Sequence, residues 1–135
     1  MPRPMDRALG DGGMALLGQL GVSFDRYGAG WGEATWTPTA LATNPAGAVQ
    51  GGVFAVVHDA AMNFAANSAL EKGDRVTTLD LGYQILRGAA AGDVLGVRGA
   101  VVRLTRSVAF TESTVRDADG AVVSRASATF LVKRA

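Results

Sequence analysis

The sequence predicts an α+β protein in which one long helix is wrapped by a single antiparallel sheet. Three observations lead there. Residues 52–70 form an alanine-rich apolar stretch without proline, long enough to cover a sheet. Four later segments are rich in β-forming residues, and turn signals separate them. A sheet with one apolar face must hide it, and no other segment is long enough to do so.

Taken in order, residues 5–20 carry Met5, Leu9, Met14, Leu16, Leu17 and Leu20 and predict a helical N-terminal segment (1–20), weakened by glycine. WGEATWT, residues 31–37, alternates as a strand does. TPTALATNPAG then reads as a loop, because Pro38 and Pro45 cannot join a ladder and Asn-Pro favours a turn. The long helix follows, and Gly73 in EKGD supplies its stop. Strands are expected at 76–87, 93–104, 107–116 and 121–132, a meander broken by GAAAGD at 88–93 and by the hairpin signal DADG at 117–120. The sheet should hold about five strands. At 135 residues the whole chain, 1–135, is expected to be one domain.

Composition narrows the function classes. Thirteen basic and twelve acidic residues leave a net charge of +1, so no global field draws the protein to nucleic acid or to a membrane surface. The absence of cysteine removes disulfides, thiol nucleophiles and thiolate metal sites. With His58 the only histidine, a metal centre built on two or three imidazoles is excluded, and no metal or other cofactor is expected. The N-terminus lacks the uninterrupted apolar core of a signal peptide or membrane span, which makes a cytoplasmic location the expectation.

The residues that invite chemistry lie in and before the long helix. Asp59, Asn63 and Asn67 recur at i, i+4 spacing and form one narrow polar stripe. Such a stripe is either the solvent side of the helix or the lining of a cleft or subunit contact; its narrowness favours the second. His58 points roughly 100° away from Asp59 and reads as a packed or hydrogen-bonded side chain rather than the other half of a dyad. Gly51 and Gly52, at the helix start, either serve a tight turn or leave the first-turn N–H groups open to an oxyanion or a polarised carbonyl.

Asn44-Pro-Ala-Gly47-Ala-Val-Gln50-Gly51-Gly52, with Asp59 nine positions after Gln50, resembles the signature of hotdog-fold acyl-CoA thioesterases of the phenylacetate-pathway and hydroxybenzoyl-CoA type. That signature reads Asn-x-x-Gly-x-x-His-Gly-Gly, then Asp or Glu. The likeness runs on through Ala66-Asn67-Ser68, Tyr83 to Arg87, Val108-Ala-Phe110 and Asp119-Gly120, and spans roughly residues 20 to 132. It implies a hotdog fold of about five to six strands and hydrolysis of an acyl-CoA thioester by at least a homodimer, with a dimer of dimers, a homotetramer, common among such proteins. In such a site Asp59 of one subunit acts as nucleophile or general base. The thioester carbonyl is held by the Gly51 N–H of the other, beside Gly52 and helped by Asn44 and Gln50. The resemblance also implies that Asn63 and Thr78 face the substrate and that Arg103, Arg106 and Ser107 meet coenzyme A, which enters as part of the substrate. Gln50 replaces the family's histidine, and an amide donates a hydrogen bond but cannot shuttle a proton. The alternative is a non-catalytic protein that holds acyl-CoA or another small apolar ligand in the same cleft.

Overall fold

The computed structural model describes residues 3–135. The predicted long helix is α2, Gly51–Ser68. Around it curls a sheet built, among the described residues, from β1 (Val22–Gly28), β2 (Trp31–Trp36), β3 (Arg75–Ile85), β4 (Leu95–Leu104), β5 (Val108–Arg116) and β6 (Val122–Lys133). All pairings are antiparallel, and the strands lie in the order β1-β2-β4-β5-β6-β3.

This order corrects the expected meander. β4, β5 and β6 do form one, but β3 crosses to the far side of β6 and β4 pairs with β2 instead. Strand β1 went unread in the sequence, and the predicted helix over 5–20 shrinks to α1, Ala15–Leu20, preceded by a single 3-10 turn at Asp6–Ala8. Gly10, Gly12 and Gly13 all take positive φ, a conformation no helix contains, so the earlier part of the segment runs as turns along the outside of α2. Met1 and Pro2, the start of that predicted segment, lie outside the described residues.

The helix is buried on the sides that the sheet reaches. Phe54, Val57, Ala61 and Phe64 pack with Trp36, Leu95, Val97, Val115 and Val123, and Met62, Ala66 and Leu70 with Ala109, Phe130 and Val132. The helix comes so near β4 that a Cβ on Gly99 would stand 2.3 Å from the carbonyl oxygen of Ala61. Only glycine fits there. On the sheet side of α2, His58 is fully buried and reaches across to β5 and β6, with Nδ1 2.8 Å from the Ser113 hydroxyl and Nε2 2.8 Å from that of Ser124. It is the packed, hydrogen-bonded histidine expected from the sequence.

Candidate active site

One side of α2 escapes the sheet. There an open groove of about 670 Å³ runs beside the helix from Ala55 to Asn67, about 18 Å at the α-helical rise. Asp59 and Asn63 line it from α2, Thr78 and Leu81 from β3, and Phe24 and Met5 from the N-terminal third of the chain. The polar stripe therefore lines a cleft. Asp59 is half-buried, and the Thr78 hydroxyl donates to its Oδ1 at 2.8 Å.

A bulge in β3 makes that hydrogen bond possible. Thr78 pairs with Phe130, the pairing slips at Leu79, and Asp80 pairs with Thr129. With Leu79 as the extra residue, Val76 and Thr78 before it and Leu81 and Tyr83 after it all face the helix. An unbroken strand would turn one set outward. Leu79 itself stands 56% exposed.

Further along the stripe the amides are tied in sequence. Arg3 donates to Asn67 Oδ1 at 2.6 Å, and Asn67 Nδ2 donates to Asn63 Oδ1 at 2.8 Å. Asn63, which lines the groove, thereby has its Oδ1 engaged and keeps its Nδ2 as the donor end of the amide.

Gly51, Gly52, Asn44 and Gln50 gather at the start of α2. Asn44 Oδ1 accepts the N–H groups of Ala46 and Ala48, and its Nδ2 lies 3.4 Å from Gln50 Oε1. Gln50 is the N-cap residue but its side chain makes no capping bond. Neither glycine has positive φ, and a Cβ at 52 would meet open space while one at 51 would make only ordinary contact with Ile85. The tight-turn reading thus falls away, because nothing inside the chain requires glycine at either place. This group lies eight residues from Asp59, about 12 Å along the helix, and does not line the groove of its own chain. Arg103, Arg106 and Ser107 form a third, exposed group at the β4–β5 turn, also away from the groove.

Sequence reasoning missed the contribution of the N-terminal segment, whose Met5, Ala8, Met14, Leu16 and Leu17 line the groove, and of Arg3. The apolar residues were visible, but irregular spacing gave them no face to be assigned to. Of the aromatic residues, Phe24 and Phe64 reach the groove and stack on each other at 4.4 Å. Trp36 and Phe54 belong to the core, while Trp31 lies under the guanidinium of Arg98 at 4.7 Å.

A long helix gripped by a curled six-stranded antiparallel sheet is the hotdog fold. The chain belongs to the Thioesterase superfamily, whose family model matches residues 46–124, and is by class a thioester hydrolase. It is 32% identical to a phenylacetic acid degradation-related protein from Ralstonia eutropha, with a TM-score of 0.79 over 87% of this chain and 89% of that one. A thioesterase from Haemophilus influenzae shares the fold at a TM-score of 0.81 and 24% identity, covering 88% of this chain and 82% of its own. So does a hypothetical thioesterase from Streptococcus pneumoniae solved with coenzyme A, at a TM-score of 0.77 and 20% identity over 83% and 85% of the two chains.

Proposed function

We propose that the protein hydrolyses an acyl-CoA thioester at a site shared between two subunits, Asp59 of one facing the carbonyl held by the Gly51 N–H of the other. The observation that carries this reading is a separation. A carboxylate set in a mostly apolar groove is the general base or nucleophile that hydrolysis needs, and an uncapped helix start with bare N–H groups is the electrophilic partner it needs. Within one chain the two lie about 12 Å apart, too far to act on one carbonyl.

A second copy removes the distance. Strand β3 is an edge strand of eleven residues whose outer side is unpaired among the described residues, the kind of edge that invites another chain. It also links the two half-sites: Thr78 bonds Asp59, and the Tyr83 hydroxyl donates to the Gly51 carbonyl at 3.1 Å. Antiparallel pairing of two β3 strands about their middles reverses this order. The Tyr83 and Gly51 end of one chain then meets the Thr78 and Asp59 end of the other.

In this site either Asp59 takes a proton from a water as the water oxygen attacks the carbonyl carbon and passes that proton to the departing thiolate, or Asp59 attacks and the resulting anhydride is hydrolysed by a water that also supplies the thiolate's proton. Charge builds on the carbonyl oxygen against the Gly51 N–H, with Gln50 and Asn44 beside it, the C–S bond breaks, and the free acid and the thiol of coenzyme A leave. Thr78 fixes the carboxylate. No imidazole takes part, because His58, the only histidine of the chain, is sealed on the sheet side of the helix. Coenzyme A as the thiol draws support from the bound coenzyme A of the pneumococcal neighbour. Arg103, Arg106 and Ser107 are assigned to its nucleotide end.

The test is release of free thiol from a panel of aryl, short-chain and long-chain acyl-CoAs by the native chain and by Asp59→Asn. Turnover by the native chain and its loss in a folded Asp59→Asn variant is the expected result. Binding of acyl-CoA without thiol release by the native chain would replace the enzyme with a ligand-holding protein.

A further inference from the structure

The groove beside Asp59 has two unlike sides. Strand β3 forms one; the other is the N-terminal segment, which supplies Met5, Ala8, Met14, Leu16 and Leu17. That side lies outside residues 46–124, the part of the chain that the family model matches.

The segment is held along its length. At its start the Arg3 N–H donates to the Leu70 carbonyl at 2.7 Å, and the guanidinium donates to Asn67 Oδ1 and to the Glu71 carbonyl, each at 2.6 Å. The Met5 N–H donates to the Tyr27 hydroxyl at 2.9 Å, and Gly10 exchanges both backbone hydrogen bonds with Phe24. Its far end is fixed by burial of Leu17 and Leu20. Yet Met14 and Leu16 remain 46% and 39% exposed. A wall latched in place with apolar side chains left bare toward a groove is surface that an apolar occupant would cover. Among the described residues Asp59 is the only ionisable one in the lining, so a second carboxylate brought in with the acyl group meets repulsion, while the Arg3 guanidinium at the far end is already engaged with Asn67 Oδ1 and the Glu71 carbonyl.

We propose that residues 5–17 are the acyl-selecting wall of the groove, and that the acyl group it takes is apolar, uncharged and bulkier than acetyl. The proposal rests on the thioesterase reading of the Asp59 site and names its substrate class. Ala8→Phe fills the groove from this wall, and Leu16→Glu places a charge on it at an exposed position that no core packing depends on.

The experiment compares decanoyl-CoA, benzoyl-CoA, glutaryl-CoA and acetyl-CoA with the full chain and both variants. It reads kcat/KM by thiol release, and Kd by calorimetry in an Asp59→Asn background where ligand is not consumed. In the native chain, decanoyl- or benzoyl-CoA is expected to exceed both acetyl- and glutaryl-CoA by roughly tenfold or more. Each variant is expected to cut the decanoyl-to-acetyl ratio by a similar factor, with an unchanged circular dichroism spectrum and Tm. A native chain that favours acetyl- or glutaryl-CoA, or ratios that both folded variants leave within about twofold, would overturn the proposal. Should Ala8→Phe fail to fold, Leu16→Glu decides alone. A native chain that releases no thiol from any of the four refutes the hydrolase reading instead, and the Kd ratios still decide the wall.

Discussion

Thr78 and His58 show how single side chains divide the work around α2. Thr78 supplies the one hydrogen bond that the Asp59 side chain receives among the described residues, at 2.8 Å. Thr78→Val keeps the β-branched shape and removes the donor; a fall in kcat of about tenfold with little change in KM is expected from steady-state kinetics, with Thr78→Ser retaining most of the activity. His58 does the opposite job and stays neutral. The Ser124 hydroxyl donates to the Gln84 carbonyl at 2.7 Å, so its oxygen accepts from His58 Nε2–H, and Nδ1 is left to accept from Ser113. Burial pushes the imidazole down from 6.5 to about 4. Between these values the unfolded chain binds a proton that the folded one refuses, so stability is full above pH 6.5 and falls as pH drops toward 4. The loss amounts to about 3 kcal/mol. Urea unfolding at a series of pH values measures it, and an NMR titration that gives the folded imidazole an ordinary value would contradict it.

At the scale of elements, glycines and bulges set what the sheet can grip. Gly99→Ala puts a Cβ against the Ala61 carbonyl of α2, a backbone group that cannot swing aside, and should destabilise by about 2 kcal/mol or more in thermal or urea unfolding. Much of this level was legible in the sequence. The 52–70 stretch was seen because its apolar residues run without proline for several turns, and β3 to β6 because their β-forming residues sit between clear breaks. Strand β1 was hidden by its own bulge: Val22 and Phe24 are buried, but the register slips before Arg26, and the alternation ends after two apolar residues. The placement of β3 beside β6 was out of reach for another reason. Local patterns say where strands are, while partner choice is decided by pairings far apart in the chain.

At the scale of the whole molecule the proposed site is incomplete in a single chain. The sequence pointed to both halves of the proposed site, Asp59 on the helix and the open glycines before it, because each has a local signature. It gave no sign of the groove's other wall, for the apolar residues at 5–17 follow no regular period and acquire a role only once Arg3 fastens them to the end of α2. An unpaired β3 edge carrying exposed Leu79 and Ile85 requires a partner in this account, and sedimentation should give a dimer or a larger assembly. Two inactive variants test the shared site. Asp59→Asn removes the acid. Gly51→Pro removes the donor N–H at the first helical position, where proline is well tolerated and where Gln50, at φ −62° and ψ 134°, already has the conformation that a following proline favours. In a mixed dimer one site carries both defects and the other carries neither. Thiol release by the two variants refolded together should therefore return to about a quarter of the native level, given random pairing, whereas a mixture as inactive as its parents would contradict a site built from two chains.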